Sequence, residues 1–349
     1  MSELRLDLDV LERNAKRISE EIASLGKMWR PHIKAHSQPR IAQTMIDLGA
    51  CGVTAANVAE VEVMAEAGIP SALLAHLAVT DIDLDRLAAA AQKLQLLVTI
   101  DHFVHAERYS KAAARNGVEF NVLVDVDIGM HRTGVRPRVD ATQLAKAANA
   151  LPGVSVIGIM GYEGHLLTMS DAAEKKTAIF EAMNMLQQTR DAMLDEDLTC
   201  DIVSAGGSGS FWITGQHEAV TELQAGGGAF GDPFYTSLCN LEGVTPALTV
   251  PAEVVSRPSL TQAVINCGRK AMNPAVCPPE LLNQPGATIE WLSAEHTVVS
   301  LEGPARDLKI GDPVEFAVGY SDHSILMHRD IQIYRSGEKI GTWPVIRRA

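Results

Sequence analysis

The sequence predicts an α/β protein: a (β/α)8 barrel of the TIM type followed by a mainly antiparallel β domain. Two observations support this prediction. Eight short apolar runs lie in the first two-thirds of the 349-residue chain, and alanine-rich segments with helical spacing separate most of them. From about residue 245 the β-type runs continue without interleaved helices. Eight strand–helix units favour a closed barrel over an open parallel sheet.

The eight predicted barrel strands are short. They lie near MWRPHIKAH, CGVTAA, ALLAHL, LLVTI, FNVLVDVD, VSVIGIMGY, DIVSAGG and VTELQAG. Helical patterns such as VAEVEVMAEAG and DLDRLAAAAQKL connect them, as in βαβ units. The connection after the seventh strand is short, and it is the weakest part of the count.

The predicted domain boundaries follow from this change of pattern. We expect the barrel to span residues 10–244 and the β domain to span residues 245–349. Runs such as HTVVSLEG and DPVEFAVGY in the second region are typical of strands joined by turns. Residues 3–9 alternate apolar and acidic side chains, as a half-buried strand does. Because a lone strand needs a partner, we predict that this segment pairs with the C-terminal sheet.

Composition and charge exclude several classes of protein. The net charge is −13, from 30 basic and 43 acidic residues, which argues against a sequence-independent nucleic-acid binder. No segment approaches about eighteen consecutive apolar residues, so no membrane span is expected. The N-terminal sequence lacks the pattern of a secretory signal, and the five scattered cysteines indicate reduced thiols. Together these features predict a cytoplasmic protein.

The segment RPHIKAH has a cationic or titratable side chain at every second position. These side chains are Arg30, His32, Lys34 and His36. If the segment is the first barrel strand, they share one face, which we expect to point inward because an outward face would meet apolar helices. Lys34, crowded by cations and partly desolvated, would then favour the neutral amine that a nucleophilic lysine needs. The alternative is a solvated edge with a surface lysine.

The segment VDVDIGMHRTGV begins as a buried strand and ends in a turn from which Arg132 projects. An arginine at this place can bind a carboxylate or a phenolate through two parallel hydrogen bonds. The alternative is a loop arginine satisfied by Asp125 or Asp127. Both interpretations stay open at the level of the sequence.

Two glycine-rich segments, SAGGSGSF and TELQAGGGAFGD, follow the seventh and eighth predicted strands. Glycines let the backbone approach a ligand, and consecutive N–H groups can bind an anion. Barrels often bind phosphate with the loops after these two strands. The alternative is a pair of tight turns.

The segment GYEGH closes the sixth predicted strand and supplies Tyr162 and His165. Either side chain can act as an acid–base group or contact a cofactor, although a surface histidine is the alternative for His165. A nucleophilic lysine, an anion site and a carboxylate-binding arginine on one barrel together indicate pyridoxal 5′-phosphate. Lys34 would form the Schiff base, and the glycine-rich loops would hold the phosphate.

The ordered motifs resemble those of the fold-type III pyridoxal-phosphate enzymes. RPHIKAH, DIGMHRTGV, SAGGSG and TELQAGG carry the resemblance in the barrel, and DIGMHRTG is similar to the corresponding segment of alanine racemases. INCGRKAM, the EH of LSAEH and GYSD with the following MH extend it to the D-threonine aldolase and D-serine dehydratase family. The resemblance covers nearly the whole chain. It implies a barrel, a β domain and a homodimer.

The resemblance also implies roles for single residues. Lys34 resembles the Schiff-base lysine, Arg132 the arginine near the pyridoxal ring, and Tyr162 an active-site tyrosine. His165 is a further candidate for acid–base catalysis. The phosphate-binding loops of the family correspond to Ser208, Gly209, Gly226 and Gly227.

A divalent cation in the β domain is implied with one departure. Metal-dependent members of the family carry HxC or HxD there, whereas GYSDHSILMH has Tyr320 at the position of the histidine and keeps Asp322. His323 or His328 could replace the missing ligand. A carboxylate with water ligands suits Mg²⁺ or Mn²⁺, and zinc with one protein ligand is not expected. The alternative is that Asp322 binds no metal.

These features predict a lyase that acts on a β-hydroxy D-amino acid. A retro-aldol reaction would give an aldehyde and glycine, or a Cα-substituted relative of glycine. A D-serine or 3-hydroxy-D-aspartate dehydratase is the runner-up, and an amino-acid racemase is a third alternative. The alternative outside enzymes is a pyridoxal-phosphate carrier, against which the long C-terminal region argues. No nucleic-acid or membrane partner is expected.

Overall fold

The structure, a computed structural model, describes residues 3–346. These residues form two compact units. One, the barrel unit, comprises residues 18–226. The other, the β unit, comprises residues 3–17 and 227–346.

The division between the units differs from the predicted domain boundary. It falls after Gly226, whereas the sequence analysis places it after residue 244. Residues 227–244 group with the β unit because their backbone bonds to it, as in the 3.0 Å hydrogen bond from the Phe234 amide to the Gly319 carbonyl. The helical turns in residues 227–244 resemble a continuation of the barrel in sequence, but in the structure these residues belong to the β unit.

Strand β1 (Leu4–Asp7) and helix α1 (Leu8–Ser24) come first in the described chain. The barrel unit then adds eight strands: β2 (Met28–Trp29), β3 (Val53–Ala55), β4 (Ser71–Leu74), β5 (Gln95–Ile100), β6 (Phe120–Asp125), β7 (Val154–Met160), β8 (Ile202–Ala205) and β9 (Glu222–Leu223). Its helices are α2 (Pro39–Asp47), α3 (Val58–Glu66), α4 (Asp81–Ala91), α5 (Phe103–Asn116), α6 (Val139–Asn149), α7 (Ala172–Leu194) and α8 (Phe211–Thr214).

Each of the eight predicted barrel strands overlaps one observed strand, and all neighbouring strands pair in parallel in the order β2-β9-β8-β7-β6-β5-β4-β3. The ring closes between β2 and β3: Thr54 donates its amide to the Pro31 carbonyl at 2.9 Å, and its carbonyl accepts from the Ile33 amide at 2.9 Å. The predicted barrel is therefore confirmed. The short connection after the seventh barrel strand, β8, contains only the four-residue helix α8.

Local sequence explains where several barrel helices begin and end. The side chains of Asn57, Thr80 and Asp171 accept hydrogen bonds from amides in the first turns of α3, α4 and α7. Such caps satisfy donors that a helix leaves unpaired at its N-terminus. Helix α5 ends at Gly117, whose φ of 66° is a left-handed conformation that glycine adopts readily. None of the helices within residues 3–346 is long and apolar enough to cross a membrane.

The β unit is a mainly antiparallel sheet, as predicted. Its strands after β1 are β10 (Leu248–Ser259), β11 (Gln262–Ile265), β12 (Glu280–Leu282), β13 (Ala287–Leu292), β14 (Thr297–Leu301), β15 (Pro313–Ala317), β16 (Asp330–Arg335) and β17 (Glu338–Pro344), and a short helix, α9 (Ser321–Ser324), lies between β15 and β16. The order is β13-β14-β11-β10-β1-β16-β17, and β15 pairs with β10 and β12. Strand β1 pairs antiparallel with β10 and parallel with β16, and it buries Leu4 and Leu6.

Candidate active site

Lys34 lies at the carboxyl end of β2, on a turn. The structure places β2 before the segment RPHIKAH, and residues 34–36 form a turn closed by a 2.8 Å hydrogen bond from the Ser37 amide to the Ile33 carbonyl. The expectation that the whole segment is one strand is therefore wrong, because the chain must already reverse direction to enter α2. Lys34 is half-buried at the end of the strands where barrel enzymes hold their catalytic groups.

Arg30 points into the barrel interior. Its Nε donates to Oε2 of Glu222 at 2.7 Å, and its Nη1 donates to Oγ of Ser71 at 2.8 Å. Ser204 donates its hydroxyl to the other oxygen of Glu222 at 2.8 Å. Arg30 directly follows β2, and Ser71, Ser204 and Glu222 lie in β4, β8 and β9, so these side chains meet inside the ring. Glu222 thus compensates the charge of Arg30, which does not add uncompensated positive charge around Lys34.

The two histidines of the same segment hold its backbone. Nδ1 of His32 accepts a hydrogen bond from the Lys34 amide at 3.3 Å, and Nδ1 of His36 accepts one from the Gln38 amide at 2.8 Å. A ring nitrogen that accepts carries no proton, so each bond fixes the tautomer of its ring. The predicted face of four cationic groups is therefore replaced by one buried ion pair, two backbone acceptors and the lysine.

The loops after β6 and β7 bring Arg132 and Tyr162 together. The guanidinium carbon of Arg132 lies 5.9 Å from the centre of the Tyr162 ring, a cation–π distance. Arg132 forms no salt bridge with any carboxylate that the structure describes, so the alternative in which Asp125 or Asp127 satisfies it does not hold. Asp127 instead accepts from the ring and the amide of His131, at 2.8 and 2.9 Å.

Asp125 lines a small cavity with Arg132 and Tyr162. Its Oδ2 accepts a hydrogen bond from the Thr133 hydroxyl at 2.8 Å. Burial raises the pKa of the Asp125 carboxyl to about 6, against the opposing effects of the Thr133 bond and the charge of Arg132. The cavity therefore contains a permanent cation, a phenol and a carboxyl group that titrates near neutral pH.

The predicted phosphate-binding residues after β8 and β9 are buried. Strands β8 and β9 pair in register, so their loops leave the sheet side by side, with Ser208 and Gly209 on the first and Gly226 on the second. The amides of Gly209 and Gly226 donate no hydrogen bond to any residue from 3 to 346. Buried amides without a partner are rare in proteins, and an anion would satisfy them.

Gly226 cannot be replaced by a larger residue. A Cβ atom at this position would lie 2.2 Å from the carbonyl oxygen of His32, so the end of β9 closely approaches the segment that carries Lys34. Gly227 begins the β unit, and within the described part of the chain its amide also has no acceptor. These two consecutive glycines are consistent with the predicted role in anion binding.

His165 is exposed on the short helical turn Gly164–Leu166. A Cβ atom at Gly129 would lie 3.1 Å from its Nε2, so the histidine packs on the backbone of the loop that carries Arg132. The structure thus brings the loops after β6 and β7 together at two places. A catalytic role for His165 stays a prediction.

Asp322 lies in α9, next to a second carboxyl group. Oδ2 of Asp232 accepts hydrogen bonds from the Ser321 amide at 2.9 Å and from the Ser321 hydroxyl at 2.6 Å. Burial raises the pKa of Asp232 to about 7; the Ser321 bonds oppose this shift, and the charge of Asp322 adds to it. Asp232 is therefore bound to the start of α9 through Ser321, and the charge of Asp322 in α9 acts on it.

These residues do not form a metal site with several protein ligands. No group of three or more His, Cys, Asp or Glu residues between positions 3 and 346 could hold a metal ion. His328 directs Nε2 to the Ala271 carbonyl at 2.8 Å, and the Tyr320 ring packs on the rings of Phe234 and His323 at 4.7 and 5.1 Å. A cation at Asp322 would depend on water ligands.

The sequence analysis missed Glu222 and Glu163. Glu222 has a signal in the sequence: it is a charged residue inside a predicted buried strand, which needs a cationic partner, and Arg30 at the end of another strand supplies one. Glu163 stands between the two candidates of GYEGH and looks like a solvated loop residue. Its full burial is visible only in the tertiary structure.

Comparison with known proteins places this fold and site in a family. The family described as "Alanine racemase, N-terminal domain" matches residues 6–233, and a serine dehydratase domain matches residues 247–334. The chain therefore belongs to the family of proteins built on the alanine racemase N-terminal domain. This class of protein is a pyridoxal-phosphate-binding barrel with a second, β-rich part.

Within the family, the chain is similar over its full length to aldolases. The crystal structure of D-threonine aldolase from Filomicrobium marinum matches with a TM-score of 0.92 and 31% identity, over 98% of this chain and 94% of the other. D-threonine aldolase of Arthrobacter sp is 28% identical over 99% of this chain and 92% of its own length. 3-hydroxy-D-aspartate aldolase of Paracoccus denitrificans is 29% identical over 99% and 91%. The resemblance drawn from the motifs is confirmed.

Proposed function

We propose that the protein is a pyridoxal-phosphate-dependent lyase that cleaves β-hydroxy D-amino acids between Cα and Cβ. The products are an aldehyde and glycine, or a Cα-substituted relative of glycine. The full-length similarity to D-threonine aldolase carries this proposal, because it extends over the barrel that would bind the cofactor and over the β unit.

The residues of the barrel unit fit the cofactor. Lys34 is half-buried on the turn after β2, where its amine would bind the pyridoxal covalently. The buried amides of Gly209 and Gly226, which lack acceptors within the described chain, would hold the phosphate. Arg132 and Tyr162, 5.9 Å apart, would contact the ring.

Pyridoxal phosphate supplies an electron sink for negative charge at Cα. The remaining task for the chain is proton transfer. A base must take the proton of the β-hydroxyl as the Cα–Cβ bond breaks; the bond pair stays on Cα, and the β-oxygen becomes the aldehyde carbonyl. An acid must then protonate Cα to give glycine. His165 is our candidate for the first transfer, since it packs beside the loop of Arg132.

The proposal is tested with D-threonine and pyridoxal phosphate. We expect glycine and acetaldehyde in equal amounts, the first measured by chromatography and the second by a coupled NADH assay. L-threonine serves as the control substrate and should remain unchanged. A panel of β-hydroxy D-amino acids then identifies the preferred side chain. If no member of the panel yields glycine and an aldehyde, the proposed reaction is wrong.

A dehydratase is the second candidate, favoured by the serine dehydratase domain that matches residues 247–334. In this reaction the Cα proton leaves with the β-hydroxyl, and the products are ammonia and an oxo acid. Measuring ammonia in the same incubations separates the two reactions. Chiral chromatography of the remaining amino acid would reveal a racemase. A protein that shows the absorption of bound cofactor but converts no substrate would be a cofactor carrier.

The quaternary structure and the location in the cell are further proposals. We propose a cytoplasmic homodimer on the basis of the resemblance and of the reduced cysteines. All five cysteines lie in the described chain and none forms a disulfide; four of them are buried. Light scattering coupled to size-exclusion chromatography measures the mass directly, and a monomer would contradict the proposed dimer.

A further inference from the structure

Glu163 is a buried carboxylate with no cationic partner. Its side chain is 0% exposed, and no lysine, arginine or histidine of the described chain lies within salt-bridge distance. The other fully buried glutamate discussed above, Glu222, is paired with Arg30. A buried carboxylate without a cation is costly, so its hydrogen-bond donors must compensate it.

The donors to Glu163 all come from one segment, the loop after β8 together with helix α8. The Ser210 hydroxyl donates to Oε1 at 2.6 Å, and the Thr214 hydroxyl donates to the same oxygen. The Gly206 amide donates to Oε2 at 3.3 Å. Residues 206–214 directly follow β8 and include the predicted phosphate-binding residues, so one carboxylate on the loop after β7 holds the loop after β8 at three points.

These bonds decide which donors remain for a ligand. A hydroxyl has one proton, so Ser210 and Thr214 have none left after donating to Glu163. The oxygen of Ser210 can then accept the Gly207 amide, which lies 3.2 Å away. The amides of Gly206 and Gly207 are therefore also occupied. The Gly209 amide, further along the loop, donates to no residue in the described range.

The backbone of this loop needs such support. Gly206 has a φ of 71°, and a Cβ atom at Gly207 would lie 3.0 Å from the ring of Tyr162. Tyr162 thus packs against the loop while its chain neighbour Glu163 holds it through hydrogen bonds. Without these contacts the glycines would allow many other loop conformations, because glycine has few steric restrictions.

We propose that Glu163 is a positioning residue for the phosphate group of the cofactor. It occupies the inner donors of the loop after β8 and thereby holds the Gly209 amide in the conformation that binds the phosphate. The inference rests on the proposed function, since it assumes that the protein binds pyridoxal phosphate. If Glu163 acted only through its charge, it would have the opposite effect on phosphate binding, because a carboxylate repels a nearby phosphate.

The test compares pyridoxal phosphate with pyridoxal, which lacks the phosphate. The cofactor is removed from the full-length protein, and each compound is titrated back while the absorption of the lysine-bound form is recorded. For Glu163→Gln we expect the dissociation constant of pyridoxal phosphate to rise about tenfold, as for the loss of a buried charged hydrogen bond. The constant for pyridoxal should not change. Thr214→Val, which removes one donor, should show the same selectivity to a smaller extent.

Glu119→Gln is the matched control. Glu119 is an exposed carboxylate that accepts a 2.7 Å hydrogen bond from the Ser155 hydroxyl, at the amino end of β6. The Glu119→Gln variant should bind pyridoxal phosphate and pyridoxal as tightly as the wild type does. Two outcomes would overturn the positioning role while leaving the proposed function intact. In the first, Glu163→Gln binds pyridoxal phosphate more tightly than the wild type does. In the second, both Glu163→Gln and Thr214→Val weaken the binding of pyridoxal phosphate and of pyridoxal equally. If the wild type binds neither compound, the proposed function fails as well.

Discussion

The barrel unit and the β unit treat a buried carboxyl group in different ways. Glu222 in the barrel unit is paired with Arg30, and their side chains are 0% and 5% exposed. Asp232 in the β unit is similarly buried, but it has only the amide and hydroxyl donors of its neighbours and lies beside Asp322. Its pKa consequently rises to about 7, chiefly because of burial. The same degree of burial is thus accompanied by an ion pair in one unit and by a raised pKa in the other.

This difference bears on where the chemistry can reside. In the barrel unit, Arg30 and Glu222 form a buried ion pair, whereas burial raises the pKa of Asp125, beside Arg132, to about 6. In the β unit, burial raises the pKa of Asp232 to about 7, so its protonation changes in the range of ordinary assays. We therefore expect the barrel unit to determine cofactor binding, and Asp125 and Asp232, one in each unit, to contribute to pH sensitivity. Four predictions test this comparison.

The largest effect is expected for Lys34→Ala in the barrel unit. Removing the amine should abolish aldehyde formation, a loss of roughly a thousandfold or more, because the covalent bond to the cofactor cannot form. Borohydride reduction followed by peptide mass spectrometry should find the pyridoxyl group on Lys34 in the wild type and on no lysine in the variant. Lys111→Ala, on the exposed face of α5, is the control. A reduced adduct retained by Lys34→Ala would contradict the assignment.

Glu222→Gln tests the buried ion pair between Arg30 and Glu222 in the barrel unit. The substitution leaves Arg30 buried without a counter-ion, which should lower the free energy of unfolding by about 3–5 kcal/mol. Glu196→Gln breaks the exposed ion pair between Glu196 and Lys146, and it should change the free energy of unfolding far less, because solvent screens exposed pairs. Urea denaturation monitored by circular dichroism measures both. If both variants lowered the free energy of unfolding equally, the buried ion pair would contribute no more to stability than the exposed one.

Asp232→Asn tests the titratable carboxyl of the β unit. The pKa of Asp232 is raised from 3.8 to about 7, so the stability associated with its protonated form is present at low pH and lost as the pH rises through this range. Relative to the variant, the wild type should become less stable between about pH 4 and pH 7, by roughly 2–4 kcal/mol. Thermal unfolding across this range measures the difference. A stability difference independent of pH would rule out this titration.

The smallest effect is expected for Asp322→Asn. Because no group of three candidate ligands exists in the described chain, a cation at Asp322 should bind weakly through water. We expect Mn²⁺ or Mg²⁺ to raise the activity of EDTA-treated wild-type protein by a few-fold, about 1 kcal/mol or less, and not to change that of the variant. Elemental analysis after dialysis should find less than one metal ion per chain. Tightly bound stoichiometric metal would show that ligands beyond Asp322 take part.

The comparison also shows how far the sequence leads. Period and composition located all eight barrel strands, since apolar runs and helical spacing are local properties. The short connection at α8 was visible for the same reason. The segment RPHIKAH was predicted to be the first barrel strand, whereas that strand ends before it, at Trp29, and Lys34 lies on the following turn. Alternation of polar residues does not distinguish a strand from a tight turn that buries some of them.

By itself, the sequence determined the order of the barrel strands and helices and the two glycine-rich segments that follow the seventh and eighth barrel strands. Only the tertiary structure decided which charges meet. Arg30 and Glu222 are 192 residues apart in the chain, and Glu163 and Thr214 are 51 apart. These pairs come together because the barrel closes and because the loops after neighbouring strands leave the sheet next to each other. Each group then needs its partner, since a buried polar or charged group without one is costly. Chain-local patterns contain no record of such contacts.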